Sequence, residues 1–218
     1  YFADSIYLVG ILTVGTTLLM VLRPVLLHAG AGREERDRAE AIVRKNGRSS
    51  LARFALLDDK SYFFSPGGSV IAYTVKGRVA LALGDPIGPE SDVLSAVREF
   101  QSFCAPSDWL PAFYQTLPDH LEVYRSTGLS SLAIGVEAIV NLGSFSLEGG
   151  GNKSLRNAVN RLTRLGYRSE LLEPPLDDDA LEELRSVSDE WLATMRGAEK
   201  GFSLGWFCDE YIRGSRVM

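Results

Sequence analysis

Cationic side chains recur through NKSLRNAVNRLTRLGY, Asn152 to Tyr167, at spacings that gather them on one helix. Over Lys153 to Leu165, the residues Leu155, Val159, Leu162 and Leu165 fall at helical intervals and predict a stripe that packs inward. Lys153, Arg156, Asn157, Asn160, Arg161 and Arg164 project around the other side. Guanidinium groups make bidentate, charge-assisted bonds to phosphate, so this face is suited to a phosphate-bearing ligand. A basic helix face standing alone is more often simply solvated. Net charge is -5, which argues against a generally basic nucleic-acid coat and directs attention to local patches such as this one.

A second helix is expected over Leu176 to Met195, with Leu181, Leu184, Val187, Trp191 and Met195 as its buried stripe. That leaves Asp189 on a different face, four residues after Arg185, where a surface ion pair worth a few tenths of a kcal/mol is the ordinary use. A carboxylate so placed is also what holding a substrate ammonium requires, and Glu190 and Glu199 are weaker candidates for the same task. The next segment, EKGFSLGWF, sets Lys200 beside Phe202, Trp206 and Phe207, with flexible Gly201 and Gly205. Core packing is the default role of those aromatics, and Lys200 is a candidate phosphate ligand at the lip of a pocket.

Other chemistries lack raw material. Two histidines, His28 and His120, give almost nothing from which to build a metal site or a Ser-His-Asp triad, so no metal is expected. Cys104 and Cys208 are far apart and form no CxxC, which fits two ordinary thiols in a reducing compartment. GGGNKS at Gly149 to Ser154 fails the phosphate-loop pattern because Asn152 separates glycine from lysine. Gly84 to Gly88, GDPIG, reads first as a tight turn.

The elements that must position these residues follow from patterning. Ile6 to Leu22 is uncharged and mostly apolar, meeting the ~17 to 25 residues that cross a bilayer. It predicts a transmembrane helix over 1–30, the end of a membrane domain, and the Lys/Arg excess beyond it puts the C-terminal side in the cytoplasm. Glu34 to Lys45 predicts a polar connector helix within 31–50. SYFF, SVIAYTVK and RVALALGD predict strands, Pro89 to Phe103 an amphipathic helix, and WLPAFYQ a strand. DHLEVYRST predicts a short helix, SSLAIGVEAIVNL one or two strands, and Tyr167 to Leu172 another. An α/β (α+β) fold is expected, one unit over 51–148 and the beginning of a second over 149–218. Tyr1 is no initiating Met and SRVM starts to read as a strand, so both ends read as cut.

From Leu51 to Met218, most strongly after Glu137, the sequence resembles the catalytic region of the aminoacyl-phosphatidylglycerol synthases, the lysylphosphatidylglycerol synthase or multiple peptide resistance factor family. LRNAVNR, the Gly-Asp-Pro-x-Gly at Gly84 to Gly88 and EKGFSLGWF carry the resemblance, although Trp206 stands where the family usually has a polar or basic residue. The resemblance implies tandem GNAT-like acyltransferase folds, the second incomplete, and transfer of lysine or alanine from aminoacyl-tRNA to phosphatidylglycerol. It further implies a multi-pass parent in a bacterial cell membrane with its catalytic part in the cytoplasm, and lower negative membrane charge as the outcome, hence resistance to cationic antimicrobial peptides. On that reading Asp189 and Lys200 are catalytic, and Lys153, Arg156, Asn157, Arg161 and Glu190 bind substrate. Aminoacyl-tRNA is a co-substrate and no other cofactor is implied; the bilayer is a partner, and a homo-oligomer is compatible with it. Further family site residues are expected beyond Met218, so this stretch alone is expected to be inactive. The rival readings are an aminoacyltransferase acting on a cell-wall precursor and a non-catalytic, membrane-anchored lipid-binding module.

Overall fold

Alternating apolar and β-branched residues separated by Gly-containing turns build the centre of the first unit. The computed structural model describes Thr13 and residues 31–49, 51–195, 199 and 201–218. These fall into two compact units: the first runs to Ser131 and takes in Glu199–Trp206, and the second holds the remaining described residues. The expected transmembrane segment lies outside the described residues, Thr13 apart. Among the described residues no helix is long and apolar enough to cross a membrane.

In the first unit, β1 (Ser61–Phe64), β2 (Val70–Lys76), β3 (Val79–Leu83) and β4 (Leu110–Tyr114) form a mixed sheet in that order. β1 and β2 pair antiparallel, as do β2 and β3, while β3 and β4 run parallel in the register Val79 to Leu110. The parallel pair needs a crossover, which α2 (Val93–Cys104) supplies. A short α3 (Leu121–Ser126) follows β4.

Both faces of the sheet are covered. Ile71, Tyr73, Ala80 and Ala82 pack against Ala96, Phe100 and Cys104 of α2, with Trp109 closing the cluster. On the opposite face Tyr62, Val70 and Ala72 pack against Ala39 and Val43 of α1 (Arg33–Asn46). The polar helix expected as a solvated connector therefore also forms a layer of the core, and Arg38 lies 4.1 Å over the Phe64 ring. Its periodicity is masked by charge: two small apolar residues four apart suffice to seat it. Burial on both faces explains why the first four residues of β2 are all buried.

Burial pushes the phenols of Tyr62 and Tyr73 up to about 12 from an ordinary 10.0. A raised folded-state value means that this contribution to stability is fully present below about pH 10 and is lost as pH rises towards about 12. Phenolate absorbance from both residues is expected to appear together with loss of circular dichroism in that window. Ionisation near pH 10 with structure intact would contradict the burial.

The second unit is sparser. It contains α4 (Lys153–Arg164), α5 (Asp178–Met195) and a short α6 (Asp209–Arg213). The strand expected over Tyr167 to Leu172 reduces to one antiparallel bridge, Leu172 with Val217. The strands expected within Ser130 to Leu142 do not form, and Leu132, Val136 and Ile139 are almost entirely exposed. Neither inward stripe is realised: Leu155, Val159, Leu162 and Leu165 are exposed, and on α5 Leu181 is buried while Val187, Trp191 and Met195 are about 60% exposed. An amphipathic helix buries its stripe against a sheet or another helix, and one bridge is no sheet.

Candidate functional site

The basic helix forms where the sequence places it, and its cations divide into two kinds. Arg156 is half-buried and its Nη1 donates to the carbonyls of Leu147 and Gly149, the latter at 3.1 Å. Asn152 Nδ2 donates to the Ser146 carbonyl at 2.6 Å. Together they fold the Gly-rich entry onto the first turns of α4. Arg156 thus braces a loop, and a guanidinium committed to carbonyls has fewer donors left for phosphate. Lys153, Asn157 and Arg161 are exposed and stand at i, i+4 and i+8 on the same side of the helix. No acidic residue interrupts α4.

Asp189 and Glu190 are exposed on α5. Arg185 does not pair with Asp189 as the spacing suggested; its guanidinium bonds Asp209 and lies 4.6 Å from the Phe207 ring centroid. A long-range partner with an aromatic platform outcompetes a neighbour one helical turn away, so Asp189 is left to solvent. Among the described residues no hydrogen bond or ion pair joins the exposed cations of α4 to Asp189 or Glu190. Lys200 lies outside the described residues.

The first unit holds two clusters that patterning alone does not reveal. Lys60 has no exposed side-chain surface; its Nζ bonds the adjacent Asp59 carboxylate and donates to the Phe202 carbonyl at 3.1 Å. Asp59 Oδ2 accepts the Phe202 amide at 2.8 Å. Burial pulls the Lys60 ammonium below its ordinary value, against the hydrogen bond and charge of Asp59, which raise it. In sequence, DDK before a strand reads as an exposed polar turn, and the partner is 142 residues away.

The other cluster fixes the GDPIG turn at the carboxyl ends of the parallel strands. Gly84 turns the chain with φ of +68°, and Asp85 accepts from the Leu117 amide at 3.0 Å and the Tyr124 hydroxyl at 2.7 Å. Burial, and then Asp85, push the Tyr124 phenol far up. His120 Nε2 sits 2.8 Å from Glu90, and that hydrogen bond first, with the histidine's charge, holds the Glu90 carboxyl below its ordinary value. Nearby, Asp92 accepts from Ser65 Oγ and the Ser69 amide, and a Cβ on Gly67 would lie 1.9 Å from its carboxylate. The acceptors of Asp85 and Asp92 are already used by the fold, which assigns this region to positioning. Among the described residues no group of three or more His, Cys, Asp or Glu could hold a metal ion.

Comparison with known proteins bears on what this arrangement serves. The profile of the family described as "Phosphatidylglycerol lysyltransferase, C-terminal" matches residues 40–218. Phosphatidylglycerol lysyltransferase of Bacillus subtilis (strain 168) is 32% identical over 182 residues, covering 83% of this chain and 21% of that protein. The enzyme of the same name from Staphylococcus xylosus is 32% identical over 174 residues, covering 79% of this chain and 20% of that protein. Among solved structures, L-PGS from Bacillus licheniformis superposes with a TM-score of 0.76 at 34% identity, covering 83% of this chain and 57% of that one. A C-terminal domain from Agrobacterium fabrum, named for lysylphosphatidylglycerol synthetase, gives 0.78 at 36% identity, covering 84% and 58%. The chain spans about a fifth of the length of the curated relatives it matches.

Proposed function

The chain belongs to the phosphatidylglycerol lysyltransferase C-terminal family, and from that premise we propose that it contributes to tRNA-dependent aminoacyl transfer to phosphatidylglycerol. The observation that carries this reading is the family match over 40–218, which includes the acid-free basic face of α4. The terminal hydroxyl of the lipid headgroup attacks the aminoacyl ester carbonyl. The tRNA ribose oxygen departs and takes up the proton, leaving aminoacyl-phosphatidylglycerol and free tRNA. The ester is already activated, so alignment of two phosphate-rich substrates and stabilisation of the oxyanion are the main tasks.

In this scheme Lys153, Asn157 and Arg161 hold phosphate directly, Arg156 shapes the loop beside them, and Lys200 adds a cation. Asp189, with Glu190 beside it, receives the substrate ammonium; lysine or alanine is the transferred amino acid. No residue among these is placed as a general base, and the chain alone is expected to be inactive. The reading extends to architecture, with the four-strand unit as the first of two tandem GNAT-like folds in a multi-pass parent of the bacterial cell membrane, its catalytic part facing the cytoplasm. Replacing anionic lipid by neutral or cationic lipid weakens the attraction of cationic peptides to the surface.

The test is lipid mass spectrometry of phosphatidylglycerol-producing bacteria expressing the full-length protein that carries this chain. A new aminoacyl-phosphatidylglycerol is expected, and its mass identifies the amino acid. No new lipid, with folded protein in the membrane and charged tRNA present, would sink the proposal in favour of a cell-wall acceptor or a non-catalytic lipid-binding role.

A further inference from the structure

The backbone of Phe202 is gripped at both ends by adjacent residues from the other end of the first unit. Its amide donates to Asp59 and its carbonyl accepts from Lys60. Its φ is +65°, a left-handed conformation that residues with a side chain seldom adopt. The Lys60 ammonium lies 5.0 Å from the Phe202 ring centroid and 6.0 Å from that of Trp206, and Tyr114 packs on Phe202 at 6.0 Å. Gly205, also left-handed, passes so close to Phe54 that an added Cβ would meet its ring at 3.3 Å.

Three unfavourable features thus meet at one short turn: a buried charge, Lys60, set against it, and on the turn itself a left-handed phenylalanine and two glycines that leave the chain loose. Stability alone does not call for this combination, because apolar side chains of similar volume commonly replace a buried ion pair at no loss. Strain of this kind persists where the surroundings enforce one geometry, and it clusters where function needs that geometry. We propose that Asp59 and Lys60 are positioning residues for aminoacyl transfer, locking the Gly201–Trp206 turn in its active conformation. The inference deepens the transfer reading above and depends on it. Asp59 supplies the acceptor and Lys60 the donor, so each alone leaves one end of Phe202 free.

The experiment compares wild type, Asp59→Asn and Lys60→Met in the full-length protein, by peptide-resolved hydrogen exchange and by the kinetics of lipid aminoacylation. Exchange across 201–206 is expected to accelerate about tenfold or more in both variants while β2 and β3 stay protected. Turnover falls about tenfold or more with KM for charged tRNA nearly unchanged, the split expected when orientation rather than binding is lost. Unchanged exchange at the turn would refute the clamp. A loosened turn with full turnover would refute positioning, and acceleration in β2 and β3 as well would reduce the pair to a general fold element. If wild type makes no aminoacyl lipid the transfer reading fails, and the exchange data still decide whether the clamp exists.

Discussion

Replacing Arg161 by alanine in the full-length protein is expected to lower aminoacyl-phosphatidylglycerol formation roughly 10- to 100-fold without lowering stability. Arg161 is exposed and no side-chain hydrogen bond or ion pair ties it to the other described residues, so removal of its side chain should alter folding by no more than about 0.5 kcal/mol. A hydrogen bond to a charged group contributes about 1.5–3 kcal/mol, which converts to that range of rates if it is made to phosphate as the substrate is aligned. Lys153→Ala should act in the same direction, and with Arg161→Ala the losses should be close to additive, since the two positions lie two helical turns apart. The predicted loss should shrink as salt rises, because screening already weakens the wild-type contact. Arg156→Ala is a poorer probe. It frees the carbonyls of Leu147 and Gly149 and so loosens the loop as well as removing charge. Wild-type rates in Arg161→Ala and Lys153→Ala together would show that the α4 face is merely solvated.

How far the sequence discloses this molecule depends on the range of the interactions. SYFF, VIAYTVK and VALAL declare their strands because the residues that pair with them arrive within a few positions, across the Gly-bearing turns at Gly68 and Gly77. α4 and α5 are equally plain, since helical periodicity is a local signal. Whether a helix face is then buried is not local, and the exposed leucines of α4 have the same pattern as the buried Val93, Val97 and Phe100 of α2. Leu132 to Leu142 has strand composition, yet a strand exists only when another strand pairs with it, and no β-ladder forms over these described residues. The candidate site divides in the same way. Lys153, Arg156, Asn157 and Arg161 share a helix and were legible together, whereas the Asp59–Lys60 grip on Phe202 needs residues more than 140 positions apart. Arg185 shows the converse: its i,i+4 spacing to Asp189 was a real signal that a more distant carboxylate and ring overrode.

The largest effect on stability is expected from Phe100→Ala. Phe100 is fully buried, with ring centroids of Phe63, Tyr73 and Phe113 at 5.7, 5.3 and 5.6 Å. Its side chain therefore joins α2 to β1, β2 and β4 at once, and truncation leaves a hole lined by rings that can collapse only by moving those elements. Phenylalanine-to-alanine changes in such cores cost about 3–5 kcal/mol, a large share of the roughly 5–15 kcal/mol that holds a domain folded. Urea unfolding should show the midpoint falling by that free energy divided by the slope, with the slope itself little changed, since the surface exposed on unfolding is nearly the same. Leucine at position 100 should recover part of the loss by refilling part of the cavity. The functional consequence is separable from the basic face, because Phe63 belongs to the strand that Asp59 and Lys60 immediately precede. Phe100→Ala should therefore loosen the Gly201–Trp206 turn together with β1 and β2, whereas Lys60→Met should loosen the turn alone. A loss below about 1 kcal/mol in Phe100→Ala would mean that the aromatic cluster is not the centre of this core.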